Sequence, residues 1–232
     1  MKYYELITTV MLKKDLFFDE INWRIGQLIN QSIYFSKELR TIHKKNEFKY
    51  YVFSALTPIE KEKVYKNGNI YIFRIKSIDE NILKGIKENF VNVKNNYFHI
   101  ISKEISIYGE KYINNLYTLN AAICTKENIK DGYWKKGDDL DYLRERITKN
   151  IVRKYKNYYG ELIELKSDFI EYIEILNRKP IVYKYKDTKI LGNKFNLKVS
   201  TEENAQKLAF LASAVGILEK GTSLGAGYCI AK

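Results

Sequence analysis

Aromatic and β-branched residues crowd Tyr3 to Leu12 (YYELITTVML) in partial alternation with polar ones, a period-two pattern that predicts a strand. The period then changes. Phe18, Ile21, Ile25, Leu28 and Ile29 recur at helical spacing behind Asp19 and Glu20, whose charges suit a helix N-terminus. Ser36 is placed to cap a second short helix, KELRTIHKK, which carries His43 near its basic C-terminal end. Phe48 to Leu56 (FKYYVFSAL) returns to strand character until Pro58 and a charged stretch end it. Ile70 to Ile75 reads as a third strand, DENILKGIKENF from Asp79 as a helix with an acidic start, and YFHIISKEI from Tyr97 as a fourth strand.

The order β-α-β-β-α-β then recurs. Leu116 to Thr125 reads as a strand, the turn-rich KENIKDGYWKKGDD follows, and a helix carries Leu140, Leu143, Ile147 and Ile151 on one face. Asp168 to Leu176 is the next strand, and Pro180 breaks the chain. IVYKYKDTKILGNKFNLKV supplies a strand or hairpin. Thr201 is expected to cap a helix with Glu202 and Glu203 in its first turn and Leu208, Leu211, Ala212 and Val215 along one face, and Gly225 to Lys232 closes with a short strand. The fold class expected is α+β, two tandem ferredoxin-like domains with a glycine-rich loop at the C-terminal end. Residues 1–114 would form the domain with His43 and 115–232 the domain with the glycine loop. No linker separates them, so they should pack around a shared groove.

Charge narrows the partners. Lys and Arg number 40 against 28 Asp and Glu, a net charge of +12 on a chain that is 45% hydrophobic with 20 Tyr and 11 Phe. That content is enough to build cores, which excludes disorder over most of the length, and the basic surface suits a polyanion. No apolar run nears the roughly 20 residues that cross a bilayer, and no export signal opens the chain, so a soluble cytoplasmic protein without a membrane partner is expected. Cys124 and Cys229 lie far apart and read as reduced structural thiols. His43 and His99 are the only histidines and neither neighbours a cysteine, so no transition metal or other cofactor is expected; counting leaves a carboxylate-held magnesium open.

Gly216-Ile217-Leu218-Glu219-Lys220-Gly221-Thr222-Ser223-Leu224-Gly225-Ala226-Gly227 is the sharpest local signal. Glycines at this density permit positive φ and close approach of backbone amides to a phosphate. A P-loop is excluded, because Lys220 precedes Gly221 and the run follows a helix rather than opening one. Two readings stand: a ligand loop using Gly216, Lys220, Gly221, Ser223, Gly225 and Gly227, or a helix cap and turn with no ligand.

With that run ending a basic, doubly ferredoxin-like chain, the sequence resembles the Cas6 type of CRISPR-associated endoribonuclease, a branch of the RAMP superfamily that cuts precursor CRISPR RNA within its repeats. The specific stretches are Glu219 to Gly227 and Leu28 to Leu56. One departure is that Gly216-Ile217-Leu218 lacks the second glycine usual at the start of the loop. The resemblance implies that His43, just after the first helices and ahead of an aromatic strand with Phe53-Ser54, is the catalytic histidine, acting as general acid or base. It implies that Lys49 stabilises the transition state. A tyrosine that some members use on the first helix has no clean match; Asn30 falls near that place and Tyr34 one turn on.

The implied activity is metal-independent cleavage by a 2′-hydroxyl, giving a 2′,3′-cyclic phosphate and a 5′-hydroxyl. The implied partner is CRISPR repeat RNA, with other subunits of an interference complex as further partners and homodimerisation left open. Lys44 and Lys45 flank His43, and Arg146, Lys149, Arg153 and Lys156 form a helical stripe that could follow an RNA backbone. Trp134, between Tyr133 and Lys135-Lys136, reads either as a base-stacking residue beside two phosphate contacts or as a pin holding its loop to the sheet. His99 reads as a structural sheet histidine. The alternative function is a non-catalytic RAMP-type subunit that holds guide RNA in an effector complex.

Overall fold

The alternation at the start of the chain becomes β1 (Lys2–Leu12), whose Leu6, Val10 and Leu12 are wholly buried on one face. It occupies an inner position in the first of two four-stranded sheets of the computed structural model, which describes residues 1–45, 47–127 and 132–232. The middle of the turn-rich KENIKDGYWKKGDD stretch, 128–131, lies outside the described residues.

A two-residue strand β2 (Leu16–Phe17) leads into α1 (Ile21–Tyr34), which buries Ile21, Ile25, Leu28 and Ile29. α2 (Lys37–Lys44) starts where Ser36 Oγ accepts from the Leu39 N–H at 3.1 Å. β3 (Tyr51–Phe53), β4 (Val64–Tyr65), β5 (Ile70–Ser77), α3 (Glu80–Asn89) and β6 (Phe98–Gly109) follow. The acidic start expected of α3 is there, and Asp79 proves to be its N-cap, accepting from the Asn81 N–H at 2.9 Å. β3 is shorter than its apolar pattern: Tyr50 takes φ +52, and a left-handed residue does not continue a strand. His99 stands exposed on β6, opposite Met11 of β1.

The second half runs β7 (Asn115–Thr118), α4 (Leu140–Tyr159), β8 (Ile170–Ile175), β9 (Ile181–Tyr185), β10 (Thr188–Gly192), β11 (Phe195–Val199), α5 (Glu203–Val215), the single turn α6 (Gly221–Leu224) and β12 (Cys229–Ala231). β7 stops at Thr118, and the residues expected to extend it form separate bridges, Ala122 to Asn193 and Ile123 to Glu219. α4 runs two turns past its apolar stripe, to Gly160 at φ +73. Thr201 does not cap α5. Ser200, one residue earlier, holds the entry with its Oγ accepting from the Glu202 N–H at 3.3 Å.

The sheet orders are β6-β1-β5-β3 and β12-β7-β11-β8, antiparallel throughout. Each is the fourth-first-third-second order of the ferredoxin-like βαββαβ unit, so the tandem architecture expected from the sequence is present. The β9–β10 hairpin is an insertion into the second unit, and its Lys184 N–H donates to Asp19 O beside the start of α1. One core joins α1 and α3 to the first sheet, and another joins α4 and α5 to the second. Cys124 and Cys229 are buried free thiols.

Lysines and amides stitch the two units together. Asn120 Nδ2 donates to Phe53 O and to Gly225 O, while its Oδ1 accepts from the Ala55 N–H. Lys76 Nζ, 3% exposed, donates to Cys229 O at 2.9 Å, and Lys154 Nζ, 8% exposed, donates to Gly216 O at 2.8 Å. Burial holds both ammonium groups down at about 8.

This sets a pH dependence. Between that value and the ordinary lysine pKa the unfolded chain binds more protons than the folded one, so stability rises with pH from about 8 upward. The thiols oppose this from about pH 8 upward, because burial raises Cys124 to about 11 and Cys229 to about 12, and the fold keeps protons the unfolded chain releases. We expect the unfolding free energy to be about 1 kcal/mol higher at pH 9 than at pH 7.5, and Lys154→Met to flatten that rise. Denaturant titrations at the two pH values read the difference directly.

Candidate functional site

The chain leaves α2 at Lys44 and turns back through Phe48 and Lys49. Lys49 Nζ donates to Ile42 O at 2.8 Å and also to Lys45 O, so its ammonium closes the open carbonyl end of α2. That removes one influence on His43. A helix C-terminus would favour an imidazolium, but Lys49 already sits on those carbonyls. Desolvation first, and the Lys49 charge second, hold the His43 pKa below its usual value, so the imidazole is neutral near pH 7. Burial also lowers Lys49, with Glu47 opposing the shift and Lys45 adding to it.

Beside this turn lies a cleft of about 340 Å³ where the two units meet. One wall is Lys45 with Glu47 to Tyr51, the second is Asn150 and Lys154 of α4, and the third is Leu218 to Thr222 of the C-terminal loop. Lys45, Lys49, Lys220 and Gly221 are thereby brought together, with His43 and Lys44 exposed on the same helix end. Phe48, Asn150 and Lys154 were missed. Lys154 had a signal: it continues the Leu143, Ile147, Ile151 stripe at helical spacing, so a lysine was written into a core position.

The glycine run makes its close approaches to protein. A Cβ on Gly225 (φ +60) would lie 2.2 Å from Phe53 O, and one on Gly227 (φ +69) 2.1 Å from Ile217 O. Gly216 (φ +71) ends α5 against Val52 and Gly227. These three expected RNA contacts are buried, which corrects their reading as a phosphate cradle. Ser223 is half-buried with its carbonyl against Gly26 of α1. Only Lys220 of the expected loop contacts is fully exposed, and Gly221 is partly so.

Trp134 is a second correction. It is 2% exposed, packs edge-on to Phe195 and donates its indole N–H to Asp139 O at 2.8 Å, so it pins its loop and has no face for a base. Lys135 and Lys136 remain exposed in that loop, away from the cleft. The basic stripe of α4 divides. Arg146 is taken by Glu127 and Glu219, the latter also accepting from Thr125 Oγ1, so its charge fixes the C-terminal loop. Lys149 pairs with Glu145 over a different groove, lined by Leu165 to Phe169. Arg153 is exposed beside Phe48, 6.0 Å from its ring centre. Among the described residues no three His, Cys, Asp or Glu side chains converge as a metal site would require, and no helix is long and apolar enough to cross a membrane.

An α+β chain of two ferredoxin-like units with a basic cleft at their junction is the class of molecule these observations define. No family model matches the chain. A curated relative, the CRISPR-associated endoribonuclease Cas6 2 of Methanocaldococcus jannaschii, is 26% identical over 230 residues, covering 93% of this chain and 94% of its own. Among solved structures, one described as a RAMP protein binding different RNA substrates aligns with a TM-score of 0.73 at 17% identity over 99% of both chains. A Cas6-related protein of Pyrococcus furiosus gives 0.71 at 19% identity over 99% of this chain and 98% of its own. A terpene synthase of Dictyostelium purpureum is 23% identical over 140 residues but covers only 59% of this chain and 38% of its own. The likeness to the Cas6 type read from the sequence is borne out: the relative matched end to end is a Cas6 protein, and the fold is that of the Cas6 and RAMP proteins.

Proposed function

We propose that this chain is an endoribonuclease that binds CRISPR repeat RNA across the junction of its two units, which divide near residue 114, and cleaves precursor CRISPR RNA. The observation that carries the reading is the placement of His43 and the Lys49 ammonium at one end of α2, from which Lys45 and Lys49 line a cleft shared with Lys154 and Lys220. His43 takes the proton of a 2′-hydroxyl, the 2′-oxygen attacks the neighbouring phosphorus, the cationic Lys49 offsets charge on the crowded phosphorane, and the P–O5′ bond breaks as the 5′-oxygen takes a proton from water. The products are a 2′,3′-cyclic phosphate and a 5′-hydroxyl, with no metal in the step.

The test is labelled repeat RNA in EDTA beside the same RNA with a 2′-deoxy nucleotide at the cut. Cleavage lost only with the deoxy substrate supports the reading. Tight binding without cleavage would make the chain a holder of guide RNA instead. Affinity should fall with salt in proportion to the phosphates neutralised. Exposed Arg153 has no carboxylate partner among the described residues, so Arg153→Ala is expected to reduce the slope of log affinity against log salt by about one, whereas Arg146→Ala should instead loosen the C-terminal loop.

A further inference from the structure

The cleft that begins at Lys45, the C-cap of the helix carrying His43, holds a polar group with nothing to bind. Asn150 Oδ1, on the α4 wall, is buried and has no hydrogen-bond partner. Buried polar atoms are nearly always paired, and such an acceptor left open at a cleft marks a place where an incoming donor regains a lost bond. Across from it stands Phe48, half-buried, with Tyr50 edge-on at 6.3 Å and the cations of Arg153 and Lys154 at 6.0 and 5.9 Å from its ring. An aromatic ring, an open carboxamide and surrounding cations are the chemistry that takes a planar heterocycle attached to a phosphate.

The reaction supplies a reason for one to be there. In-line attack needs the 2′-oxygen, the phosphorus and the 5′-oxygen nearly collinear, which a stacked A-form strand does not present. One flanking nucleotide must therefore leave the stack, and its base needs a receptor. We propose that the cleft between Phe48 and Asn150 receives the unpaired nucleobase flanking the scissile phosphate, stacking it on Phe48 and hydrogen-bonding its Watson–Crick edge through the Asn150 carboxamide. The inference rests on the ribonuclease reading above. Asn150 and Phe48 are specificity-determining residues in it, while proton transfer stays with His43.

The experiment is a scan of single abasic sites along the repeat RNA, with binding and single-turnover cleavage measured for the wild type, Asn150→Ala and Phe48→Leu. One abasic position beside the cut should slow the wild type by about tenfold or more. The two variants should cut intact RNA slower by a similar factor and show no further loss on that abasic RNA, where all three proteins should be equally fast. This equality doubles as the control that the variants fold. Variant and abasic effects that multiply, or no sensitive position next to the cut, would overturn the subsite. The same coupling seen in affinity, in a chain that does not cut, would overturn the activity and uphold the subsite. A wild type that neither binds nor cuts would overturn both.

Discussion

His43→Ala is expected to lower single-turnover cleavage of repeat RNA by about 10²-fold or more while leaving affinity within a few-fold. The side chain is exposed at the end of α2, so its removal leaves no cavity and the thermal midpoint should not move. The pH profile makes the prediction specific. A neutral imidazole acting as base gives a rate that climbs with pH through the His43 pKa, which lies below the usual histidine value, and is level by neutrality. Lys49→Met would remove both the repelling charge and the cap on the α2 carbonyls, so the residual activity should show that limb moved to higher pH. A wild-type rate in the alanine variant would sink the assignment of His43, and an unmoved limb in Lys49→Met would sink the electrostatic account of it.

Gly225→Ala should destabilise the protein by about 3 kcal/mol or more. The residue sits at φ +60, and the added methyl would stand 2.2 Å from the backbone carbonyl of Phe53, which is itself held by the Asn120 amide. Backbone cannot swing aside as a flexible side chain would, so the loop and β3 must separate. Since Asn120 also holds Gly225 O, that separation opens the junction of the two units. Gly68→Ala is the matched control: it too has positive φ, at +81, but a Cβ there meets nothing within 4 Å. It should cost only the left-handed penalty of about 1 kcal/mol. Equal denaturant midpoints for the two variants would show that the close approach contributes nothing.

Several elements were legible in the sequence because their signals are local. The strand at Lys2–Leu12, the helix at Ile21–Tyr34, the cap at Ser36 and the acidic helix start at Asp79 depend on periodicity and on side chains within one turn of their targets. His43 and Lys49 were legible only through resemblance, since a histidine in a basic stretch carries no signal of its own. Strand lengths misled where long-range partners ran out. FKYYVFSAL has strand composition throughout, yet only Tyr51–Phe53 pairs as a strand with β5. The pair β2 and β4 escaped notice because two residues are too short to show a period.

Trp134 and the glycines show the same limit from the other side. A tryptophan between lysines and a glycine-rich tail look alike in sequence whether they meet RNA or protein, because composition records what a residue can contact, not what lies across from it. Phe195 and Asp139 closed around Trp134, and Phe53, Val52 and Ile217 around the glycines. The sequence by itself determined the period of each element, the twofold βαββαβ order and the basic charge, all of which follow from neighbours along the chain. Only the tertiary structure decided that Lys154 and Asn150 meet Phe48 and Lys220 in one cleft, and that His43 is neutral. The cleft joins segments a hundred or more residues apart, and the state of His43 depends first on how far the folded surroundings desolvate it and then on Lys49 folding back six residues on, so no local pattern encodes either.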